Sequence, residues 1–600
     1  MKDYLSCLLV TAAVAAAVGS AAEPSPEARA SRGPTRPAFR DVPRKVLAFY
    51  YPWYGIPSGP GGAGRTVHWG RIDEEKKEIQ ASTHYPALGA YDSHDPKLID
   101  QHCRWAVRGG LDGWIVSWWG HGSYSGRVMG PILDACKRHK LAACIYYETV
   151  PMPQTPQTAA DDIVKVLRRH GDHPAHLRAG GKPVVFVYGR ALGEIGVAGW
   201  LKAAAAVNER YEGGAALIGD RFDYGSARVF DGLHTYNTAG MLRGKEPAAA
   251  RAWASATYGG WVRLADEAGR ISTLTVIPGY DDTKVRKPGL AVKRYDGALY
   301  RGQWAEAIRA DPHWVLITSF NEWHEGSEIE PSAEDGEKYL SMTAEYARRF
   351  KSKPRAARAA PKPQVPAAET ARLREKLASL PLAVLPKAES SAFWWLAADL
   401  GAKVEEIAWK DLAADRLSPK THPVLLYAGG EHCPRTVTRD GDVDAAIARY
   451  LKAGGCLVAM PSLPWPFYYD EQDRPQPRRS AALGLTLRMG WEQPPESEKL
   501  RFVQPGKTRL LPHLPKELPF PASGDLRWRP FVAGGRGGHV PLLTLVGAKG
   551  KSLGEAIAYV EPPTGGRVVY VWFALLHGPN APGILHDVFD FVASRLGRSG

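Results

Sequence analysis

The residues best equipped for chemistry in this 600-residue chain lie in one run, Trp314 to Ser332 (WVLITSFNEWHEGSEIEPS). An apolar stretch emerges there into Asn321-Glu322-Trp323-His324-Glu325-Gly326. Glu322 and Glu325 are three residues apart, so a single helical turn places both carboxylates on one face. Paired carboxyl groups with separated pKa values can cleave an acetal: one, protonated, donates to the leaving oxygen while the other is ionised. Trp323 is suited to desolvating that centre or stacking on a sugar face. Metal ligation is the competing use of Glu322, His324 and Glu325, but the spacing is not that of a zinc-binding HExxH helix and no third ligand set accompanies it. No metal and no cofactor are therefore assigned. Glu328 reads as a solvated charge.

Clusters of the same kind recur upstream. Tyr50, Tyr51, Trp53 and Tyr54 surround Pro52, and His68-Trp69 follows. Trp118-Trp119-Gly120, Tyr146-Tyr147-Glu148, His234-Thr235-Tyr236-Asn237 and Pro278-Gly279-Tyr280-Asp281-Asp282 come next, with Arg286 near the last. The elements that carry them are short apolar strands: Val46–Tyr51, Gly113–Trp118, Ala142–Tyr147, Pro183–Tyr188, Ala215–Gly219, Gly232–Tyr236, Thr273–Pro278 and Trp314–Phe320. Helical patterns lie between them. Asp95-Pro96 is a cap followed by proline at the first helical position, and Gly109-Gly110 closes that helix. Eight strand–helix alternations predict an α/β fold, a (β/α)8 TIM barrel, with a doubly wound sheet as its rival. The barrel is favoured because the unusual residues fall at strand C-terminal ends, where barrels build their sites. A ring of aromatics and acids there suits a carbohydrate cleft. Its expected lining is Tyr51, Trp53, Tyr54, His68 and Trp119 from the early strands, and Glu148, Tyr188, His234 and Tyr236 from the middle ones. Tyr280, Asp281, Asn321 and Trp323 complete it.

Composition fits a soluble globular protein: 44% apolar, 23% charged, rich in Gly, Pro and Trp. The net charge of +14 invites a nucleic-acid reading. Acids are interspersed among the bases, however, and no zinc-finger or RNP-like motif occurs, so no nucleic-acid partner is expected. Residues 1–22 read as a cleaved secretory signal: a lysine, an apolar alanine-rich run from Leu5 to Val18, then small residues. That implies a secreted or periplasmic protein without stable membrane insertion after cleavage. Residues 23–42 read as a disordered linker and 43–350 as the barrel. Residues 351–380 read as a second linker, with five basic residues, no acid and four prolines between Lys351 and Pro366. Its composition implies that 43–352 fold and act alone. The five cysteines beyond the signal form no disulfide framework and are expected mostly as buried thiols.

Residues 381–600 read as a smaller α/β domain of flavodoxin or amidotransferase type. Its strands are expected at Val424–Tyr427, Cys456–Met460 and Arg567–Phe573, with helices at Val443–Leu451 and Asp587–Leu596. It weakly resembles the glutamine-amidotransferase-like domains appended to some glycosidases. Cys433 beside His432 is the one nucleophile–base pair to weigh, although sequence neighbours rarely form such a dyad.

Taken together, YYPWYG at Tyr50, HW at His68, SWWG at Ser117, YYE at Tyr146, GKPVVFVY at Gly181, HTYN at His234, PGYDDTKVR at Pro278 and ITSFNEWHEGSEIEPS at Ile317 resemble glycoside hydrolase family 99. This is the family of endo-α-1,2-mannosidases and endo-α-1,2-mannanases. The likeness runs from about Val46 to Phe350 and leaves the C-terminal domain uncovered. It implies a retaining, metal-independent, endo-acting enzyme on α-mannan or a mannose-containing oligosaccharide. In the family's proposed mechanism the substrate's own 2-hydroxyl attacks the anomeric carbon, giving a 1,2-anhydro sugar. By that pattern Glu322 deprotonates the 2-hydroxyl and Glu325 is the general acid/base. Glu148 and Tyr236 match positions near the cleaved sugar, and Trp119 and Tyr51 match an aromatic wall. The alternatives are the same mechanism on another manno-configured or glucosylated α-glycan, or a non-catalytic carbohydrate-binding barrel. The glycine-rich loop Gly55–Gly62 departs from the family pattern and is expected at the cleft rim.

Overall fold

The computed structural model describes residue 39 and residues 42–597, apart from 357–363, 386–390, 493, 495–498, 522–524, 533–537 and 579. The expected signal segment lies outside the described residues, as does almost all of the first linker.

Eight parallel strands close into a barrel: β1 (Lys45–Tyr50), β2 (Gly113–Trp118), β3 (Ala142–Tyr147), β4 (Lys182–Val187), β5 (Ala216–Gly219), β6 (Gly232–Leu233), β7 (Ile271–Val276) and β8 (Trp314–Ile317). Each pairs with the next, β8 returns to β1, and Tyr146 opposite Phe186 joins β3 to β4. All eight expected strands are present. Both faces of such a strand are covered, which is why the sequence shows unbroken apolar runs instead of alternation. Leu47, Phe49, Ile115, Tyr146, Phe186, Ile218 and Leu316 fill the barrel interior. Their neighbours Val46, Ala48, Tyr50, Trp114 and Val116 face the surrounding helices. The first of those helices, α1 (Pro96–Arg108), starts as read: the Asp95 side chain accepts the Lys97 N–H and Pro96 occupies the first turn.

Two strands, β6 and β8, end three residues sooner than expected, and in each the tail has been taken by the site. After Leu233 the chain leaves the sheet because the Tyr236 N–H bonds the Asp220 carboxylate (3.0 Å) and its carbonyl takes the Thr318 hydroxyl. After Ile317 the segment folds on itself, the Ser319 N–H reaching the Ser327 carbonyl at 2.7 Å.

The second linker requires correction. Its first residues are docked under the barrel: Lys351 bonds Asp112 at 3.0 Å, and Arg355 bonds Asp266 at 2.5 Å. Residues Ala367–Ala378 form helix α9, counted along the chain, which buries Leu373 and Leu377 against the C-terminal helix α11 (Ala581–Leu596). The basic, proline-rich composition hid two facts. Its cations meet buried-side acids, and its tail carries leucines four apart on one helix face.

The C-terminal domain is built on a nine-stranded sheet. Five parallel strands, β9 (Leu382–Leu385), β10 (Val404–Glu406), β11 (Val424–Tyr427), β12 (Cys456–Ala459) and β17 (Arg567–Val571), lie in the order β10-β9-β11-β12-β17. Numbered among themselves they read 2-1-3-4-5, the flavodoxin-like order. Antiparallel strands β16 (Ser552–Glu561), β15 (Gly538–Val546), β13 (Arg501–Val503) and β14 (Glu517–Pro519) extend it. The two domains share a packed seam. Gly225, in the short helix α5 (Tyr224–Val229), faces Trp394 so closely that an added Cβ would lie 2.6 Å from the indole. Asp399 takes Arg228 at 2.8 Å and is also bonded by the Tyr224 hydroxyl.

Candidate active site

The turn that carries Glu322 and Glu325 is built as the spacing implied. Trp323–Glu325 form a single 3-10 turn capped by Glu322, whose carboxylate accepts the His324 N–H at 3.1 Å. Gly326 ends the turn at φ +53°, where an added Cβ would meet the Thr83 hydroxyl at 2.8 Å, so glycine is needed on both counts. Glu322 and Glu325 are both buried at the mouth of the barrel.

Their surroundings differ. Glu322 Oε1 accepts the Tyr54 hydroxyl (3.2 Å), while Oε2 has no hydrogen-bond partner. Glu325 Oε2 accepts the Tyr236 hydroxyl at 2.8 Å, and Oε1 faces the Arg286 guanidinium through two 3.3 Å contacts. Burial raises both carboxyl groups above the ordinary range, and their mutual repulsion adds to the rise at Glu322. Tyr236 and Arg286 oppose the rise at Glu325, whereas Glu322 has only Tyr54 and one N–H. The groups around the pair therefore favour ionisation of Glu325 over that of Glu322.

A third carboxyl group stands nearby. Glu148 is buried, accepts the Ser117 hydroxyl at 2.7 Å, and is pushed by desolvation up to about 8. Burial thus favours its uncharged form, which can donate a hydrogen bond but is poor as a nucleophile.

The half-buried aromatics make one wall. Trp53 stacks on His68 with ring centroids 4.5 Å apart and planes 4° from parallel, and reaches Trp119 at 6.4 Å. His68 sits at φ +60°, an uncommon backbone state for a non-glycine residue. Arg190 lies over Trp119 at 4.9 Å and over Tyr188 at 5.7 Å. Tyr51 packs edge-on to Tyr236. Tyr280 donates to Asp282 at 3.1 Å and receives Arg286 at 2.8 Å.

Several expected contact residues prove to be supports. Trp323 is fully buried, its indole N–H divided between the Tyr91 hydroxyl (3.0 Å) and Glu330 (3.2 Å), so it cannot stack on a sugar. His234 is fully buried between Phe49, Tyr146 and Phe186, and desolvation drives it down to about 3. It is a neutral core imidazole. Asn321 clamps β1 to the catalytic loop, accepting the Tyr51 N–H (2.7 Å) and donating to the Tyr51 carbonyl (3.1 Å). Tyr54 is buried and stacked on Trp69 at 4.1 Å, and acts through Glu322. Asp281 turns back on Thr283 at 2.6 Å. Glu328 is no solvated charge: it is buried and paired with His84 (2.7 Å) and Arg294. Gly59 and Gly61 of the glycine-rich loop press on Asp92 and Tyr124, which makes that loop a packing element.

Sequence reasoning missed Asp220, Arg190 and Ser319. Asp220 is buried, pushed up to about 7, and accepts the Gly189 and Tyr236 N–H groups at 3.0 Å. Ser319 accepts the Glu322 N–H at 2.7 Å. Position alone could have flagged Asp220, which directly follows β5, and Arg190, two residues after Tyr188.

Residues 42–344 match the model of Glycosyl hydrolase family 99. The chain belongs to this family. It is a glycoside hydrolase. Its relatives include the glycoprotein endo-alpha-1,2-mannosidase of Rattus norvegicus, 26% identical over 325 residues, which are 48% of this chain and 67% of that protein. A human endo-alpha-1,2-mannosidase-like protein is 25% identical over 320 residues, 47% and 67% of the two chains. Among solved structures, the GH99 endo-alpha-mannosidase of Bacteroides thetaiotaomicron is similar at 28% identity, covering 51% of this chain and 98% of that one, with a TM-score of 0.43.

In the other domain, no dyad forms at Cys433. The thiol is buried, pushed up to about 12, and contacted by Arg479 at 3.5 Å, while His432 stacks on Tyr469. The five described cysteines are free and buried. Among the described residues no helix is long and apolar enough to cross a membrane.

Proposed function

We propose that this family 99 hydrolase is an exported, retaining, endo-acting enzyme that cleaves internal α-1,2-mannosidic linkages through participation of the substrate's 2-hydroxyl. The observation that carries the reading is Glu322 Oε2, a buried carboxylate oxygen with no protein partner beside a second carboxyl group on the same turn. In the first step Glu322 takes the 2-hydroxyl proton as O2 bonds to C1, and the C1–O glycosidic bond breaks as Glu325 protonates the leaving oxygen. In the second, Glu325 takes a proton from water, water oxygen bonds to C1, the C1–O2 bond breaks, and Glu322 returns the proton to O2. Two inversions at C1 give net retention. An α-mannoside holds its 2-hydroxyl and leaving oxygen anti, which permits the backside approach. Burial of Glu148, which raises it to about 8, supports the assignment because it disfavours the ionised form that a covalent nucleophile needs. The names of the relatives support the linkage.

Product analysis on α-1,2-linked mannan tests this. The mature protein should release short oligosaccharides with retained anomeric configuration by NMR. Glu322→Gln and Glu325→Gln should each lose at least ~10³-fold in kcat/KM without a lower Tm. Inverted products, or an active Glu322→Gln, would refute the mechanism. Release from glucosylated but not plain mannosides would move the substrate and keep the chemistry. N-terminal sequencing of protein recovered outside the cytoplasm tests export.

A further inference from the structure

The C-terminal domain has a prominent face of its own. In flavodoxin-like sheets ligands bind outside the carboxyl ends of the parallel strands. At the carboxyl ends of β11 and β12 two loops carry an aromatic cluster. Trp465 and Tyr468 are half-buried, with ring centroids 5.1 Å apart and planes 34° from parallel. Tyr469 follows edge-on to Tyr468 at 4.8 Å, and exposed His432 stacks on it at 4.9 Å. The cluster is held from behind. Arg529, 1% exposed, lies 4.3 Å from the Trp465 ring centroid and is held by the Trp528 carbonyl at 2.9 Å and Glu492 at 3.0 Å, its Nε having no hydrogen-bond partner among the described residues. Polar groups border the cluster: Glu431, paired with Arg527 at 3.3 Å, and His432, whose Nδ1 is paired with Asp473 at 2.9 Å. Flat, rigid rings beside a carboxylate, a guanidinium and an imidazole can stack on the C–H face of a pyranose and bond its hydroxyls. Arg529, itself fixed by the Trp528 carbonyl and Glu492, holds the Trp465 ring in place from behind.

We propose that Trp465, Tyr468, Tyr469 and His432 form a second, non-hydrolytic glycan-binding platform that holds a distant stretch of the same polysaccharide the barrel cleaves. The identity of that polysaccharide rests on the proposed function. An endo-acting site leaves long chain on both sides of the cut, so a tethered second site raises the local substrate concentration for polymer and not for a short oligosaccharide.

The test uses the full chain carrying Glu322→Gln, run through native gels containing α-1,2-linked mannan, with and without Trp465→Ala or Tyr469→Ala. The platform predicts retardation that falls at least about tenfold in apparent affinity in either variant. In the otherwise wild-type enzyme, the ratio of kcat/KM on polymer to that on a tetrasaccharide should fall about fivefold or more. Equal retardation in all variants, or none in any, overturns the proposal. Matching melting curves for Tyr469→Ala guard against misfolding as the cause. If wild type is retarded and Tyr469→Ala is not, while neither hydrolyses mannan, the platform stands and the proposed reaction falls.

Discussion

Arg286 acts with Tyr236 to favour ionisation of Glu325 over Glu322, and removing it makes its share visible. Its guanidinium is 3.3 Å from Glu325 Oε1 and is 54% exposed, with Asp282 as a second partner at 2.5 Å. A unit charge at 3.3 Å is worth about 5 kcal/mol at a dielectric of about 20 and about 1.3 kcal/mol at about 80. The lower figure applies to a group half in solvent and shared with another carboxylate. It corresponds to roughly one pKa unit. The free-enzyme pair titrates as a unit, and the two limbs of the kcat/KM–pH profile report its two macroscopic steps. Because the donors converge on Glu325, that carboxyl group ionises first as pH rises and sets the acidic limb, while Glu322 sets the alkaline one. The form that the proposed mechanism requires, with Glu322 ionised and Glu325 protonated, is thus the minority tautomer of the singly protonated pair. In Arg286→Met the Glu325 carboxyl should rise, moving the acidic limb up by about one pH unit and leaving the alkaline limb in place. The assay is kcat/KM on an α-1,2-linked oligosaccharide across pH, with limb position and not height as the readout. A shift confined to the alkaline limb would put the resting proton on Glu325 and refute the reasoning. An unmoved profile would show that Arg286 does not govern the pair.

Three further outcomes follow from the same geometry. Glu148 is raised from the usual carboxylate range to about 8, so the folded protein holds a proton that the unfolded chain gives up; the stability this lends is fully present below about pH 4 and is lost as pH climbs toward 8. Glu148→Gln, which keeps an oxygen for Ser117, should therefore gain thermal stability relative to wild type on moving from pH 5 to pH 8, and a Tm difference that is flat with pH would refute the assignment. Asn321→Ala removes two hydrogen bonds and strands the buried Tyr51 backbone, costing about 3 kcal/mol in denaturant unfolding; a loss below about 1 kcal/mol would mean the clamp is dispensable. Truncation to residues 43–356 strips Trp394 and Asp399 from α5, so the isolated barrel should melt below the barrel transition of the full chain, contrary to what the linker composition suggests; an unchanged melting temperature would show the seam to be passive.

Why the barrel could be read so completely, and its site only in part, comes down to what each residue type can encode. Strands buried on both faces write themselves as apolar runs, and the ends of those runs locate the cleft. That was enough to find Glu322, Glu325, Tyr236, Trp53 and Trp119. It could not tell a residue facing a ligand from one facing the protein. Trp323 and Glu325 are two positions apart, yet the short turn sends one indole inward to Tyr91 and Glu330 and the other side chain to the mouth. Asn321 and Tyr54 look like cleft polar groups, and Glu328 like a solvated charge, for the same reason: each is a buried polar side chain whose partners, the Tyr51 backbone, Glu322 and Arg294, lie more than thirty positions away in sequence. In the C-terminal domain the parallel strands were partly legible as apolar runs. The antiparallel extension was not, because the first four residues of β15 and of β16 are exposed or only partly buried, burial starting at Leu542 and Ala556, and the two strands carry register irregularities between them. The polar residues that surround a catalytic pair are thus the hardest to assign from sequence, since their type is fixed by chemistry that a buried support and a substrate contact share. Only the partner distinguishes them, and Glu322 Oε2, with none among the described residues, is the atom to which the proposed mechanism assigns the substrate's 2-hydroxyl.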